Sequence, residues 1–189
     1  MYTIDVENNR YEAVKIGDLY WTVENLKTTK FNDGTEIELI ADYEEWEDAG
    51  KNNIPAYCYY DMDNKKYGAL YNYHAVSTGL LAPAGWRVPT NEDWKCLEKY
   101  LISSGYNCDG SIGNDLTRNN KSGFSSLPGG YRGCDGYFYD IGYHCSWWSA
   151  TESDASYTYH RYLYHNKEHL VRYYYNKGSG FSVRVVRDV

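Results

Sequence analysis

The stretch TNEDWKCLEKYLISSG, residues 90–105, carries the clearest helix signal in the chain and separates two regions with different patterns. Thr90 or Asn91 can cap a helix here, and Asp93 completes a capping box. An apolar stripe follows at helical spacing: Trp94, Leu97 and Leu101. Gly105 is a typical helix stop. The stretch therefore predicts an amphipathic helix with one face in the core.

C-terminal to this helix, the pattern changes to short β runs separated by glycines. From residue 123 onwards the runs are GFSSLPGGYRG, GYFYDIGYHCSWWSAT, SYTYHRYLYH, LVRYYY and FSVRVVRD. Short alternating runs between turns are typical of antiparallel strands. In FSVRVVRD the inward side chains are expected to be Phe181, Val183 and Val185.

N-terminal to the helix, YEAVKIGDLYWTVENL (residues 11–26) predicts a hairpin that turns at Gly17-Asp18. Residues 27–66 are polar and rich in turn formers, so we expect an excursion with little regular structure. YGALYNYHAV (67–76) predicts a second, short helix. A hairpin, two helices and then a mainly antiparallel sheet in the C-terminal half favour an α+β fold over a doubly wound one.

Length and composition limit the classes of function. The 189 residues carry a net charge of −7 and 17% aromatic content, with 23 tyrosines. We expect one domain, residues 1–189, and no nucleic-acid partner, since phosphate binding needs a basic face. No apolar run approaches the roughly 18 residues of a spanning helix. MYTIDVENNR is not a signal peptide, although an exported chain that begins after cleavage would look the same.

Short motifs for chemistry lack their structural context. The five cysteines have no C-x-x-C spacing. HNKEH (165–169) fits H-x-x-E-H, but it lies between two β-like runs, whereas a zinc site needs it on a helix. DMDNKKYG (61–68) begins like a calcium loop and then places lysines at ligand positions. We therefore predict no catalytic residue, no metal and no cofactor.

Tyrosines are concentrated in ASYTYHRYLYHNKEHLVRYYY, residues 155–175, which contains seven of them. In a strand, Leu163 facing the core would turn His160, Tyr162 and Tyr164 outwards. Tyrosine supplies large contact area at low entropy cost, which is typical of recognition surfaces. The candidate ligand-binding residues are Tyr139, Tyr143, His144, His160, Tyr162, Tyr164, His165, Tyr173 and Tyr175. In the returning run, alternation leaves open whether Tyr173 and Tyr175 or instead Arg172 and Tyr174 face outwards. The alternative is that these tyrosines fill gaps between strands, which Tyr also does well.

Several motifs in order carry a family resemblance: VKIGDLYWTVENLK, YGALYNYHAV, LLAPAGWRVPTNEDWKCLEKYL, GFSSLPGGYRG, WWSAT and GFSVRVVRD. From about residue 11 to 188 the chain resembles the Fibrobacter succinogenes major paralogous domain. This resemblance implies a C-type-lectin-like fold with large buried tryptophans: Trp21, Trp86, Trp94, Trp147 and Trp148. It also implies an extracellular or cell-surface location, lipid-anchored or on a phage particle.

The resemblance favours a non-catalytic module that binds a protein or glycan ligand through the Tyr/His-rich face. Some proteins of this fold are diversified by retroelements that rewrite adenines, and residues 134–175 are rich in the resulting residue types. The alternatives are an enzyme of the formylglycine-generating-enzyme-like branch and a purely structural surface protein. Cys134 and Cys145 lack the spacing of that enzyme's cysteine pair, and the calcium motifs of sugar-binding C-type lectins are absent. The sequence does not specify an oligomeric state.

Overall fold

The computed structural model describes residues 1–60, 65–105, 121–164 and 170–189. The helices within these residues are α1 (Tyr43–Lys51), α2 (Tyr73–Ser77) and α3 (Asn91–Ser103), with a 3-10 turn at Lys65–Tyr67. The strands are β1 (Tyr2–Ile4), β2 (Arg10–Ile16), β3 (Leu19–Thr22), β4 (Glu38–Leu39), β5 (Ala56–Cys58), β6 (Leu70–Asn72), β7 (Gly129–Arg132), β8 (Phe138–Ile141), β9 (His144–Glu152), β10 (Tyr157–Tyr164), β11 (Val171–Asn176), β12 (Gly180–Phe181) and β13 (Val186–Asp188).

The described strands form two sheets. The smaller sheet has the order β1-β2-β3-β13, and the larger has the order β11-β10-β9-β7-β12-β6-β5-β4, with β8 paired to β7. Pairing is antiparallel except at β4–β5 and β7–β9. Helices with mainly antiparallel, partly mixed sheets confirm the α+β class.

The predicted N-terminal hairpin is present as β2 and β3. Ile16 pairs with Leu19 across a two-residue turn. Gly17 adopts φ +64°, which a primed turn requires at its first central position and which glycine adopts without steric cost. The expected hairpin and its turn are confirmed, whereas burial along β2 does not alternate strictly, since Tyr11 and Ile16 are both buried.

Helix α3 matches its sequence signals. The hydroxyl of Thr90 accepts from the Asp93 amide, and the Asp93 carboxylate accepts from the Thr90 amide at 2.6 Å, so the capping box is complete. Trp94, Leu97 and Leu101 are buried as the stripe predicted. Beneath this stripe, the helix packs on strand β9 of the larger sheet.

Helix α1 corrects the prediction that residues 27–66 have little regular structure. The Asp42 side chain accepts from the amides of Glu44 and Glu45, whose charges also favour a helix N-terminus. Only Trp46 and Ala49 are buried on this helix. The acidic run therefore contains a short helix, which the sequence pattern did not reveal because its apolar stripe has only two residues.

The predicted helix at 67–76 is correct only in its second half. Residues Leu70–Asn72 form the buried strand β6, and Asn72 then caps α2 by accepting from the Ala75 amide at 3.1 Å. The Asn72 side chain also bonds the backbone at Ile54 and Ala56, which ties the strand to its neighbour. Full burial and pairing on both edges override the weak helical pattern.

The C-terminal segment is buried on both sides because it crosses from one sheet to the other. Phe181 lies in β12 of the larger sheet, and β13 pairs with β3 of the smaller sheet. Phe181, Val183 and Val185 are buried, as predicted. Arg184 is buried as well, and its guanidinium donates to the carbonyls of Thr22, Phe124 and Ser125 and to Asn25 Oδ1.

The five tryptophans expected in the core are all buried, and Trp46 joins them. Trp21, Trp94, Trp147 and Phe124 form one aromatic cluster with ring centroids 4.8–6.1 Å apart. Aromatic side chains bury large apolar areas, so this cluster contributes strongly to the packing of α3 on the sheet.

Candidate binding site

Three neighbouring strands bring six of the predicted site residues to one cavity. In antiparallel β9, β10 and β11, Tyr164 lies opposite His144, and His160 lies opposite Tyr173. Directly paired residues share a face, so these side chains project from the same side of the sheet. The cavity has a volume of about 190 Å³, and the predicted residues that line it are His144, His160, Tyr162, Tyr164, Tyr173 and Tyr175. We call it the Tyr/His cavity.

Four further residues complete the lining: Tyr131, Asp140, Ser146 and Phe181. They come from β7, β8 and β9, which follow one another in the chain, and from β12 near the C-terminus. Tyr131 and Phe181 lie outside the dense tyrosine runs, and sequence alone gave no signal for them. Ser146 could have been predicted as a site residue, because it follows His144 by two residues in the same strand and therefore shares its face.

The walls of the Tyr/His cavity are aromatic rings packed on the two histidines. The His144 imidazole stacks on Tyr164, with ring centroids 4.4 Å apart, and meets Tyr162 edge-on at 4.9 Å. The His160 imidazole stacks on Phe181 at 4.6 Å and meets Tyr175 edge-on at 5.5 Å. This mutual packing fixes the ring orientations before any ligand enters, which lowers the entropy cost of binding.

The two histidines are more buried than the sequence predicted. His160 was expected to face outwards, but its side chain is only 3% exposed, and His144 is 6% exposed. The direction predicted for His160 is correct, since it shares its face with Tyr162 and Tyr164. The prediction that His160 is exposed is wrong, because Phe181, Trp148 and Tyr175 cover its imidazole. The histidines thus form the floor of the cavity rather than its rim.

Burial keeps both imidazoles neutral at pH 7. Desolvation lowers the pKa of His160 to about 3, and the nearby His144 and Arg161 act in the same direction. Desolvation also lowers the pKa of His144, although the Asp140 carboxylate opposes this. Asp140 Oδ2 lies 3.6 Å from His144 Nδ1, which is longer than a hydrogen bond.

The tyrosines at the rim are exposed. Tyr164 and Tyr173 border the opening and reach solvent, whereas Tyr162 and Tyr175 are partly buried. Tyr139 is exposed and stacks on Tyr131 at 5.3 Å, so it extends the aromatic surface beyond the opening. Tyr143 is exposed but does not line the cavity. His165 and the whole HNKEH motif lie outside the described residues.

Strand β7, which presents Tyr131, is held in place by the neighbouring residue Arg132. The buried Arg132 guanidinium donates to the carbonyls of Gly136, Ile40, Ala41 and Asp42 at 2.7–2.9 Å. It also lies 4.5 Å from the Trp46 ring. The glycine-rich GGYRG motif therefore serves as an anchor between β7, the turn after it and the start of α1.

A larger cavity, of about 400 Å³, lies between α1 and the turn after β11. Its lining includes His74 and the exposed Cys134. His74 Nε2 already contacts the Gly50 carbonyl at 3.2 Å. Because this imidazole has a backbone partner and few aromatic residues line the space, we consider the Tyr/His cavity the better candidate.

The described cysteines lie apart and are unbonded. Cys134 is exposed, whereas Cys145 is buried beside Leu163 and Trp147 in the core. Among the residues that the structure describes, no three His, Cys, Asp or Glu side chains are grouped to hold a metal ion. In the same ranges, no helix has the length and apolar character needed to cross a bilayer.

Comparison with protein families connects this architecture to a known group. The model of the Fibrobacter succinogenes major domain matches residues 14–187, nearly the whole chain. The chain belongs to this family. The match covers the hairpin, α3, the Arg132 anchor and the C-terminal crossing, so the Fibrobacter succinogenes major domain includes the scaffold around the Tyr/His cavity. No curated protein and no solved structure matches the chain.

Proposed function

We propose that this Fibrobacter succinogenes major domain is a non-catalytic recognition module that binds a protein or glycan ligand at its Tyr/His-rich face. One observation carries the proposal: residues from six strands form a single cavity whose rim is exposed tyrosine. Aromatic residues with a polar tip are enriched where proteins bind other molecules, because they combine contact area with hydrogen bonding.

The size of the cavity favours a large ligand that inserts one group. Small-molecule pockets typically have volumes of about 300–1,000 Å³, and the Tyr/His cavity has about 190 Å³. Such a space accommodates one side chain or one ring. The exposed Tyr139, Tyr164 and Tyr173 then provide contact area for the remainder of the ligand.

The proposal includes a C-type-lectin-like fold, display on a cell or virion surface, and diversification by a retroelement. The support for the fold is the order of elements, with a hairpin and helices before a mainly antiparallel C-terminal sheet. The support for diversification is that Tyr162, Tyr164 and Tyr173 line the cavity without being part of the core clusters. A reverse-transcriptase gene beside a near-copy of the segment for residues 134–175, differing at adenines, is the expected genomic finding.

The rival hypothesis, an enzyme of the formylglycine-generating-enzyme-like branch, receives less support. That chemistry needs two thiols side by side, whereas Cys134 is exposed and Cys145 is in the core. Burial also raises the pKa of Cys145 to about 12, which disfavours the reactive thiolate.

Binding to arrays of glycans, peptides and bacterial surface proteins tests the proposal. We expect Tyr164→Ala and Tyr173→Ala to weaken any ligand found by about tenfold or more, as for aromatic hot spots. Tyr2→Ala is the matched control, since Tyr2 is 52% exposed and Tyr173 is 51% exposed, but Tyr2 lies in the other sheet. Ligands that bind both site variants as well as they bind the wild type would contradict the proposal.

A further inference from the structure

Three polar side chains in the Tyr/His cavity have no hydrogen-bond partner among the described residues. Both ring nitrogens of His144, both ring nitrogens of His160 and the hydroxyl of Ser146 are buried and unpaired there. The exposures of His144, His160 and Ser146 are only 6%, 3% and 1%. Buried polar groups are normally hydrogen-bonded, because desolvation without a partner lowers folding stability. Five buried unpaired atoms on three residues that line one cavity therefore indicate a site built for a polar ligand.

The strand register places these groups in one row. Ser146 lies opposite Tyr162, between the pair His144–Tyr164 and the pair Trp148–His160. Alternate residues of a strand share a face, so His144 and Ser146 project to the same side. A ligand that lies across β9 and β10 meets the three side chains in succession.

The hydrogen-bonding character of the row selects the ligand chemistry. A neutral imidazole has one donor and one acceptor nitrogen, and a serine hydroxyl does both. Ammonium and guanidinium groups only donate, and carboxylate and phosphate groups only accept, so each leaves part of the row unpaired. Hydroxyl and amide groups both donate and accept, so either can pair the whole row, and a sugar ring, including an N-acetylated one, carries such groups around its edge.

Charge around the cavity supports a neutral ligand. The lining contains no Lys or Arg among the described residues, and its one carboxylate, Asp140, disfavours anions. Burial lowers the pKa of both histidines, so neither supplies positive charge at pH 7. The tyrosine rings and Phe181 offer apolar faces, on which the C–H face of a sugar ring packs well.

We infer that the Tyr/His cavity binds one neutral, hydroxyl-bearing sugar ring of a glycan. This inference rests on the proposed function and narrows its ligand from a protein or glycan to a glycan. The ring hydroxyls bond His144, Ser146 and His160, and the adjoining sugars lie along the exposed tyrosines at the rim. Asp140 accepts from a further hydroxyl at the edge.

The test uses immobilised neutral oligosaccharides and methyl glycosides of glucose, galactose, mannose and N-acetylglucosamine. Glycans that carry uronic or sialic acid and peptides rich in Lys or Arg are the charged arms. We expect binding to neutral glycans and not to the charged arms. We expect Ser146→Ala to weaken that binding about two- to tenfold, and His160→Phe at least about tenfold, from the lost hydrogen bonds.

Ser126→Ala is the matched control. Ser126 is also buried and its hydroxyl is also unpaired among the described residues, but it does not line the cavity. Both serine variants therefore remove the same group at a similar folding cost, which circular dichroism and thermal melting check. We expect the control to bind neutral glycans as the wild type does.

Three outcomes overturn the inference. Neutral-glycan binding that survives Ser146→Ala and His160→Phe would place the sugar elsewhere. Binding to basic peptides alone, lost on Tyr164→Ala, would reject the sugar but retain the recognition face. Absence of neutral-glycan binding, with protein ligands found in the arrays, would reject the glycan and leave the proposed function standing.

Discussion

Replacing His160 with phenylalanine is expected to make folding stability less sensitive to acid. Phenylalanine keeps a planar ring against Phe181, where the imidazole now stacks at 4.6 Å. It removes two buried nitrogens that have no partner among the described residues. At pH 7.5 we therefore expect stability to be unchanged or raised by about 1 kcal/mol, since removing an unpaired polar group relieves its desolvation cost.

The acid dependence follows from proton linkage. An unfolded histidine has a pKa near 6.5, whereas burial lowers the pKa of His160 in the folded chain to about 3. Below pH 6.5 the unfolded state binds a proton that the folded state does not, so stability falls as pH falls. The loss approaches about 1.4 kcal/mol per pH unit well below pH 6.5, and it amounts to roughly 2 kcal/mol between pH 6.5 and 4.5, because the unfolded histidine is only half protonated at pH 6.5. His160→Phe removes this part of the stability loss in acid. His144, whose pKa is also lowered by burial, continues to reduce stability as the pH falls.

Urea unfolding followed by tryptophan fluorescence measures this directly, because all six tryptophans are buried. Free energies of unfolding at pH 7.5, 6.5, 5.5 and 4.5 are compared for the wild type, His160→Phe and Tyr162→Phe. Tyr162→Phe is the control, since it alters the same cavity without removing a group that titrates in this range. If the wild type and His160→Phe lose stability in parallel, the folded protein accommodates a charged His160 and the reasoning is refuted.

Three further predictions, made with five substitutions, test the scaffold by urea unfolding. Arg184→Met should lower the free energy of unfolding by at least about 3 kcal/mol, since it leaves buried carbonyls unpaired. Arg187→Met, at an exposed position, is the control and should lower it little. Equal losses would mean that the hydrogen bonds of Arg184 do not contribute to stability. Gly142→Ala should lower the free energy of unfolding by about 1 kcal/mol, because it places a side chain at φ +80°. Gly136→Ala should lower it by about 1–3 kcal/mol more, because its methyl group would also clash with the Tyr43 backbone. Similar losses for the two variants would show that the backbone moves to relieve this clash. Thr90→Ala should cost about 1 kcal/mol through loss of the capping box, and no change would show that the cap is not stabilising.

Periodicity predicted the parts of the fold that a local pattern determines. The hairpin at Gly17, the capped helix from Asn91 and the inward Phe181 follow from turn chemistry, capping and alternation. Helix α1 was missed because its apolar stripe has only Trp46 and Ala49, within a strongly acidic run. Such a short stripe is visible only when the surface that it packs against is known.

The sequence correctly predicted which face of β10 carries the candidate site, but not how deeply the side chains on that face are buried. Alternation correctly grouped His160, Tyr162 and Tyr164 on one side of β10. Whether His160 is open or covered on that side depends on Phe181 and Trp148, which come from other strands. No pattern within residues 155–175 contains that information, so the burial of His160 was not predictable from the sequence.

The alternation along β10 makes this domain a natural scaffold for engineered binders. Arg161 and Leu163 face the core side, where the Arg161 guanidinium lies 3.0 Å from the Glu98 carboxylate of α3. Tyr162 and Tyr164 face the Tyr/His cavity and are not part of the core clusters. A combinatorial library that randomises Tyr162 and Tyr164, and keeps the buried Thr158 and His160 of the same strand, should therefore yield mostly folded clones that differ in what they capture.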